Sequence, residues 1–312
     1  MRAFAVQKFG DAPAIHDLPI PTVDGTFLVR VHCAGVNPVD AMLVDQLTAG
    51  SPYPFVLGVD FAGVAERVPA VQDVIRSGDR VFGMAWTHGA YAEYTASVPT
   101  AIAEPIARIP DGITDEQAAT LPLAGLTALG SLDMLGVGAG QRVVIMGAAG
   151  GVGGIAVQIA HARGARVIGT VRGDPGEARR LGADEVIDST STDVFDAVHA
   201  AHPDGVDAVF DLVDRAGTIA RVAEILKPGG RLVSTQFVAD VAWFADRHIV
   251  ASNISSGKNP LATAQGLAEL GRMFVDGTIS ARISETVALD AASSVLDQLR
   301  HGGIRGKAVV RI

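Results

Sequence analysis

The sequence predicts an α/β protein in which a doubly wound parallel sheet is inserted into a β-rich domain. Three observations carry that expectation. Residues 1–120 read as short strands punctuated by Gly and Pro, the middle alternates apolar strand-length runs with helical patterns, and the chain from about Asn259 returns to a mixed texture. A length of 312 residues fits two domains, since single cores stop growing near about 250–300 residues. The expected division is 1–120 plus 259–312 for the β-rich domain and 121–258 for the sheet domain.

In the first stretch, MRAFAVQKF, TFLVRVHCAGV, FAGVAERV and GDRVFGM show β-branched or alternating apolar residues between turn formers. The segment ITDEQAATLPLAGLTALGSLDML reads as a helical pair, with Thr114 or Asp115 as the first cap and Pro122 breaking the pattern between the two. The middle stretch then runs QRVVIMG (strand), GIAVQIAHARG (helix), ARVIGTVR (strand), GEARRLGA (short helix), DEVIDS (strand), DVFDAVHAAH (helix), GVDAVFDLV (strand), TIARVAEILKPGG (helix) and RLVSTQF (strand), with HIVASNIS as a sixth strand. These strands are apolar throughout, as expected where helices cover both faces of a parallel sheet. Two of the helices are expected to end on ARG-A and KPGG, where a basic residue and a glycine suit a C-cap. The last stretch reads helix, strand, helix and terminal strand, in LATAQGLAELGRMFVDG, ISARISETVAL, DAASSVLDQLRHGG and GKAVVRI.

Composition removes several function classes. With 48% hydrophobic and 19% charged residues the chain can bury a sizeable core. A formal net charge of −9 and the lack of a Lys/Arg tract argue against a nucleic-acid partner or an anionic lipid surface. The uncharged run Val143–Ala160 nearly reaches the length of a membrane span, but the glycines inside it favour a buried strand, a turn and a buried helix, so no membrane partner is expected. Cys33 is the one cysteine, which excludes an internal disulfide and a four-thiolate zinc cage and suits a reducing, cytoplasmic setting.

The strongest motif is GAAGGVG at 147–153, between an apolar strand and an apolar helix. In a Rossmann-type dinucleotide fold, glycine permits the tight turn, lets backbone N–H groups approach a diphosphate, and lets helix and sheet pack closely. Taking Gly153 as the packing glycine puts Gly150 at the close approach and Ala148 at the turn. Ala149, Gly150, Gly151, Val152 and Gly153 are then the expected cofactor cradle. The bland alternative is a glycine turn that merely seats a helix. The second strand ends Gly169-Thr170-Val171-Arg172. A carboxylate at that tip would accept hydrogen bonds from the ribose hydroxyls of NAD. Here Thr170 and Arg172 occupy the region, and Arg172 suits a 2′-phosphate, so NADPH is the expected cofactor. Asp174 is expected in the turn with Pro175. Against this, an Arg in a surface turn is commonly just a solvated charge.

At this point the arrangement resembles the zinc-independent quinone oxidoreductases of the medium-chain dehydrogenase/reductase superfamily across essentially the whole chain. The segments that carry the resemblance are AGVNPVD at 34–40, LGVDFAG at 57–63, LPLAGLTAL at 121–129, GAAGGVG at 147–153, LGADEVID at 181–188, LKPGGRLV at 226–233 and RGKAVV at 305–310. The resemblance implies a GroES-like catalytic domain around the Rossmann domain. It also implies that Asn37 and Val59 stand where zinc-dependent relatives place a cysteine and a histidine ligand; neither side chain can supply a thiolate or an imidazole. Cys33 reads as a small core residue.

Without a Lewis acid, reduction of a quinone or α,β-unsaturated carbonyl by NADPH is favoured over alcohol oxidation. The resemblance places Asn37 near the nicotinamide ribose and has Tyr53 and Thr127 line the cleft, which makes these three the candidate catalytic residues. Each has a structural alternative: a turn before Pro38, loop packing between two prolines, and helix capping or back-bonding. Phe237 is expected at the carboxyl edge of the sheet among the cofactor contacts, and Asp40 is expected to be structural. Met42 and Val44 stand where many relatives carry an aromatic residue and an arginine, and Leu57-Gly58-Val59-Asp60 stands for a common P-G-x-E. A homodimer is the expected assembly. Two other functions stay open: an enoyl-thioester reductase, for which Lys258 and Arg305 offer a sparse basic entrance, and a dinucleotide-binding redox sensor or scaffold without catalysis.

Overall fold

The computed structural model describes residues 1–22, 24–70, 74–97, 104–214 and 217–312. Its contacts divide the chain into two units, Met1–Leu126 with Leu261–Ile312, and Thr127–Pro260. In chain order the first unit contains β1 (Arg2–Val6), β2 (Ala14–Asp17), β3 (Phe27–Val36), α1 (Pro38–Asp45), β4 (Phe55–Val56), β5 (Asp60–Arg67), β6 (Arg80–Met84), β7 (Tyr94–Ser97), β8 (Ile106–Arg108), α2 (Asp115–Ala119) and the start of α3 (Pro122–Met134). The second holds β9 (Arg142–Met146), α4 (Gly151–Ala162), β10 (Arg166–Val171), α5 (Gly176–Arg180), β11 (Glu185–Asp188), α6 (Val194–Ala201), β12 (Val206–Asp211), β13 (Leu226–Ser234), α7 (Val241–Ala245) and β14 (Val250–Asn253). The chain closes the first unit with α8 (Ala264–Val275), β15 (Ile283–Ala288), α9 (Ala292–Arg300) and β16 (Lys307–Arg311).

The first unit is built on two sheets. One is the antiparallel set β2-β1-β4; the other runs β15-β16-β3-β5-β6-β8, with β7 also pairing β3. β3 is the hub. It takes β5 on one side and β16 on the other, with Ala308 opposite Val36 and Arg311 opposite Cys33. Its inward residues Phe27, Val29 and Val31 join Phe61, Val81, Tyr91 and Val310 in one core. That pairing stitches the C-terminal strand to the segment that leads into Asn37.

The second unit is a six-stranded parallel sheet in the order β11-β10-β9-β12-β13-β14. Counted within the unit this is 3-2-1-4-5-6, the doubly wound order of dinucleotide-binding folds, with the reversal between β9 and β12. The fold class expected from the sequence is therefore observed. The uncharged run from Val143 resolves into β9, a turn and α4. α4 buries Gly153, Ile155, Ala156, Val157, Ile159 and Ala160, which explains why it needs no charge over most of its length. No described helix is long and apolar enough to cross a membrane.

Local chemistry sets the element ends. Thr114 caps α2, its hydroxyl accepting from Gln117 N–H while the Gln117 side chain takes Thr114 N–H. Pro122 starts α3, where a missing N–H costs nothing. One expectation fails: TIARVAEILKPGG is not a helix. A short 3-10 helix, Ile219–Glu224, precedes a strand that already begins at Leu226. Pro228 disfavours helix at the residue before it, and Gly229 takes a φ of 79°, so the KPGG glycines bend a strand entry and cap no helix. α1 was also absent from the sequence reading; Asn37, Pro38 and Asp40 were its start signal, as cap, first helical residue and acidic N3.

Candidate active site

The glycine turn is described first within its own unit. It follows β9 at the carboxyl edge of the parallel sheet. Gly147 takes φ 89°, a left-handed conformation that strains any side chain, and its N–H donates to the carbonyl and the hydroxyl oxygen of Thr170, both at 3.2 Å. The turn glycine is therefore Gly147 and not the position of Ala148, which the fingerprint alignment had assigned one residue late. Ala148 is buried and donates to Thr170 O at 2.9 Å. Gly153 is the packing glycine: a Cβ there would lie 2.1 Å from Gly147 O.

Gly150 N–H closes the turn onto Gly147 O at 3.0 Å, and Gly150 is the N-cap of α4. The N–H groups of Ala149, Gly151, Val152 and Gly153 have no acceptor among the described residues. A Cβ on Gly150 would meet only Gly147 O, at 3.2 Å, so the space above this helix start is open. Unpaired donors, the positive end of the α4 dipole and room for approach together make an anion cradle that fits a diphosphate.

At the tip of β10, Arg172 is exposed, as is Arg179 in α5, and neither side chain has a hydrogen bond or ion pair among the described residues. Arg180 is by contrast spent on Glu177 at 2.7 Å. Asp174 does belong to the turn, accepting from Gly176 N–H at 2.9 Å, and Asp188 accepts from Gly173 N–H at 2.8 Å. Farther along the same edge, Phe237 follows β13 with φ 59° and 59% exposure. A left-handed aromatic residue held in solvent is a strained arrangement, and strain of that kind clusters at ligand sites. Asp211, which the sequence reading passed over, braces this edge: buried, it accepts from Val213 and Asp214 N–H and from the Ser234 hydroxyl at 2.6 Å.

Within the first unit, Asn37 lies at the centre of a buried polar cluster. It caps α1 and is only 3% exposed. Its Nδ2 donates to Asp60 Oδ2 at 2.9 Å and its Oδ1 accepts from Lys307 Nζ at 2.5 Å. Lys307 also donates to Val36 O at 2.9 Å and lies 3.8 Å from Asp60 Oδ2. Asp60 Oδ1 accepts from Leu123 N–H at the start of α3, 3.0 Å away. Asp40 Oδ2 accepts from Asn37 N–H at 2.8 Å and from the Tyr91 hydroxyl at 2.9 Å, while its Oδ1 is buried without a partner. Asp60, Lys307 and Tyr91 were not among the sequence candidates. A lysine opening the terminal strand ahead of the apolar run Ala308–Val310 was the available signal.

Two buried carboxylates thus share one buried ammonium. Burial pushes Asp40 up to about 7, reinforced by the charge of Asp60 and opposed by the Asn37 and Tyr91 donors. Burial also raises Asp60, to about 6, with Lys307, Asn37 and Leu123 pulling the other way. Lys307 and Tyr91 are likewise driven by burial toward their neutral forms.

Neither of the remaining candidates hydrogen-bonds to this cluster among the described residues. The Tyr53 hydroxyl donates to Thr48 O at 2.8 Å, tying up its own loop, and its ring packs on the core of the first unit. Thr127 lies within α3, half-buried, and its hydroxyl neither caps nor back-bonds a helix among the described residues. No three His, Cys, Asp or Glu side chains are grouped to hold a metal among the described residues.

Comparison with known proteins agrees with this geometry. The alcohol dehydrogenase GroES-like domain model matches residues 23–111, and the zinc-binding dehydrogenase model matches 151–256. A quinone oxidoreductase of Sus scrofa is 33% identical over 244 residues, covering 75% of this chain and 72% of the relative. The chain belongs to the quinone oxidoreductase family. It is thus an oxidoreductase of the medium-chain dehydrogenase/reductase type that takes a nicotinamide cofactor and a small-molecule substrate. Among solved structures, a mycobacterial protein complexed with NADPH aligns with TM-score 0.87 and 27% identity over all of both chains. An NAD-dependent alcohol dehydrogenase aligns with 0.84 and 28%, again over all of both. These neighbours divide on the cofactor, so the choice falls to the residues of this quinone oxidoreductase family member.

Three variants check the site. Gly150→Val should keep the thermal midpoint within a few degrees yet abolish nicotinamide nucleotide binding, read by cofactor fluorescence. Gly153→Ala should instead lower the midpoint, because its methyl group must displace the backbone of Gly147; the reverse pattern would remove the cradle assignment. Asp40 binds its proton more tightly folded than unfolded, so it contributes stability that is present below about pH 4 and lost as pH rises through about 7. Asp40→Asn should therefore flatten the fall in thermal midpoint between pH 5 and 8; an unchanged slope would show that Asp40 is ionised throughout.

Proposed function

We propose that this chain is an NADPH-dependent reductase that transfers hydride to a quinone or an α,β-unsaturated carbonyl without a metal ion. The observation that carries the reading is the pairing, among the described residues, of four unsatisfied N–H groups at the start of α4 with two unpaired guanidinium groups at and just beyond the tip of β10. The first suits a diphosphate and the second a 2′-phosphate. A carboxylate competing for the ribose hydroxyls is missing from that tip, because Asp174 and Asp188 are engaged in turns.

NADPH, when bound, supplies the hydride. The chain's own residues orient it and shape the acceptor side. The turn from Gly147 to Gly153 fixes the diphosphate, Arg172 with Arg179 holds the 2′-phosphate, and Thr170 braces the turn through its hydroxyl. Phe237 offers an apolar face at the carboxyl edge. Asn37, buried and bonded at both ends of its amide, acts in this reading by holding the start of α1 in place; Tyr53 and Thr127 are the side chains assigned to the acceptor. Negative charge that develops on the acceptor oxygen needs only hydrogen-bond donors and water, so no side chain of this chain is assigned as an obligatory acid. The absence of thiolate and imidazole at Asn37 and Val59 disfavours alcohol oxidation. A homodimer and a cytoplasmic setting complete the reading; β14, the uncharged open edge of the parallel sheet, is the strand a second copy would meet.

Stopped-flow oxidation of bound NADPH by a panel of quinones, enones and enoyl thioesters tests the activity. Acceleration by quinones or enones is expected; a preference for thioesters would move the assignment to an enoyl-thioester reductase, and no acceleration by any of them to a binding protein. Arg172→Ala should weaken NADPH binding by about tenfold or more, the scale of one lost charge-assisted contact. NADH binding should stay unchanged. Equal losses for both nucleotides would end the 2′-phosphate assignment.

A further inference from the structure

The glycine turn and its arginines leave the buried ammonium of Lys307 unexplained. A lysine placed among apolar side chains is costly unless it does something that an apolar residue there could not. Its side chain is 5% exposed, and its strand β16 would pair with β3 through backbone groups whatever side chain stood at 307. What the ammonium touches is the Asn37 amide oxygen and the Val36 carbonyl.

A carboxamide presents an acceptor at one end and donors at the other. Lys307 can only donate, and an ionised Asp60 can only accept. With Nζ at 2.5 Å from Oδ1 and Asp60 Oδ2 at 2.9 Å from Nδ2, one orientation satisfies both. The flipped amide would set its NH2 against the ammonium and its oxygen against the carboxylate, losing both hydrogen bonds and creating two repulsive contacts. The other oxygen of Asp60 receives Leu123 N–H, the second residue of α3, and Thr127 follows one turn later on that helix. A residue at the very end of the sequence therefore sets the head of α1 and the head of α3 together.

We propose that Lys307 is a positioning residue of this reductase, fixing the orientation of the Asn37 carboxamide and, through Asp60, the seat of α3. The catalytic part of this rests on the reductase reading above; the orientation of the amide does not. The nearby acids fit the role, since burial drives both toward neutrality and the Lys307 ammonium, 3.8 Å from Asp60 Oδ2, pulls Asp60 the other way.

The chain contains three asparagines, at 37, 253 and 259, so selective 15N-asparagine labelling of the full protein gives three side-chain amide pairs, and Asn37→Asp identifies one of them. Lys307→Met is the variant to measure. Should it fail to fold, Lys307→Met/Asp60→Asn removes both buried charges and keeps an acceptor for Leu123 N–H. In whichever folds, the Asn37 amide protons should exchange with solvent at least tenfold faster, with the Asn253 and Asn259 pairs unmoved. The dissociation constant for NADPH should stay within threefold, and kcat with the best wild-type acceptor should fall tenfold or more. An unmoved Asn37 pair, or kcat at the wild-type level, overturns the proposal. If wild-type protein reduces no quinone or enone, the reductase reading fails by itself, and the amide exchange still decides the orientation.

Discussion

A helix cannot satisfy the N–H groups of its own first turn, and the arrangement of this protein depends on where α4 leaves them. The turn from Gly147 spends its carbonyl on Gly150 and anchors its own N–H on Thr170, which leaves four neighbouring N–H groups without an acceptor among the described residues at the carboxyl edge of a parallel sheet. Three glycines are required for three different reasons: backbone conformation at 147, vacant space at 150 and backbone contact at 153. Side chains at these positions would fill the space or distort the turn. The strand order around the loop, with its reversal between β9 and β12, opens a crevice at the edge of the sheet where the turn lies.

The second constraint is one of charge. The first unit buries Asp40, Asp60 and Lys307 together, and burial pushes both acids toward holding a proton. Asp40, with one oxygen unpartnered, is the acid whose environment asks for it. Asp60 keeps its charge because it has an ammonium, an amide and a backbone N–H around it. Buried ionic clusters contribute little net stability compared with apolar packing. Here the cluster joins β3 and α1, which are contiguous in the chain, to α3 and β16, which lie far from them in sequence.

The β-rich texture of the first stretch, the parallel sheet, the glycine turn and the arginine after β10 were all legible in the sequence. Each rests on local information: apolar runs of strand length, glycine between strand and helix, and the identity of one residue at a strand tip. The boundary of β13 was misread because Ile219–Glu224 has helical apolar spacing, and only the proline and glycines beyond it decide against a full helix. The turn glycine was placed one residue late for a related reason. A fingerprint counts letters, whereas the positive φ of Gly147 is a property of the backbone.

What the sequence alone determined is therefore the fold class and the glycine turn between β9 and α4, because both are written in contiguous residues whose patterns act over a few positions. What only the tertiary structure decided is the state of Asn37. The sequence offers it as a lone polar residue before a proline. The fold brings Asp60 and Lys307 to the two ends of its amide across separations of 23 and 270 residues. No local pattern encodes such a meeting. It follows from the pairing of β16 with β3 and of β3 with β5, long-range contacts that exist once the sheet has formed.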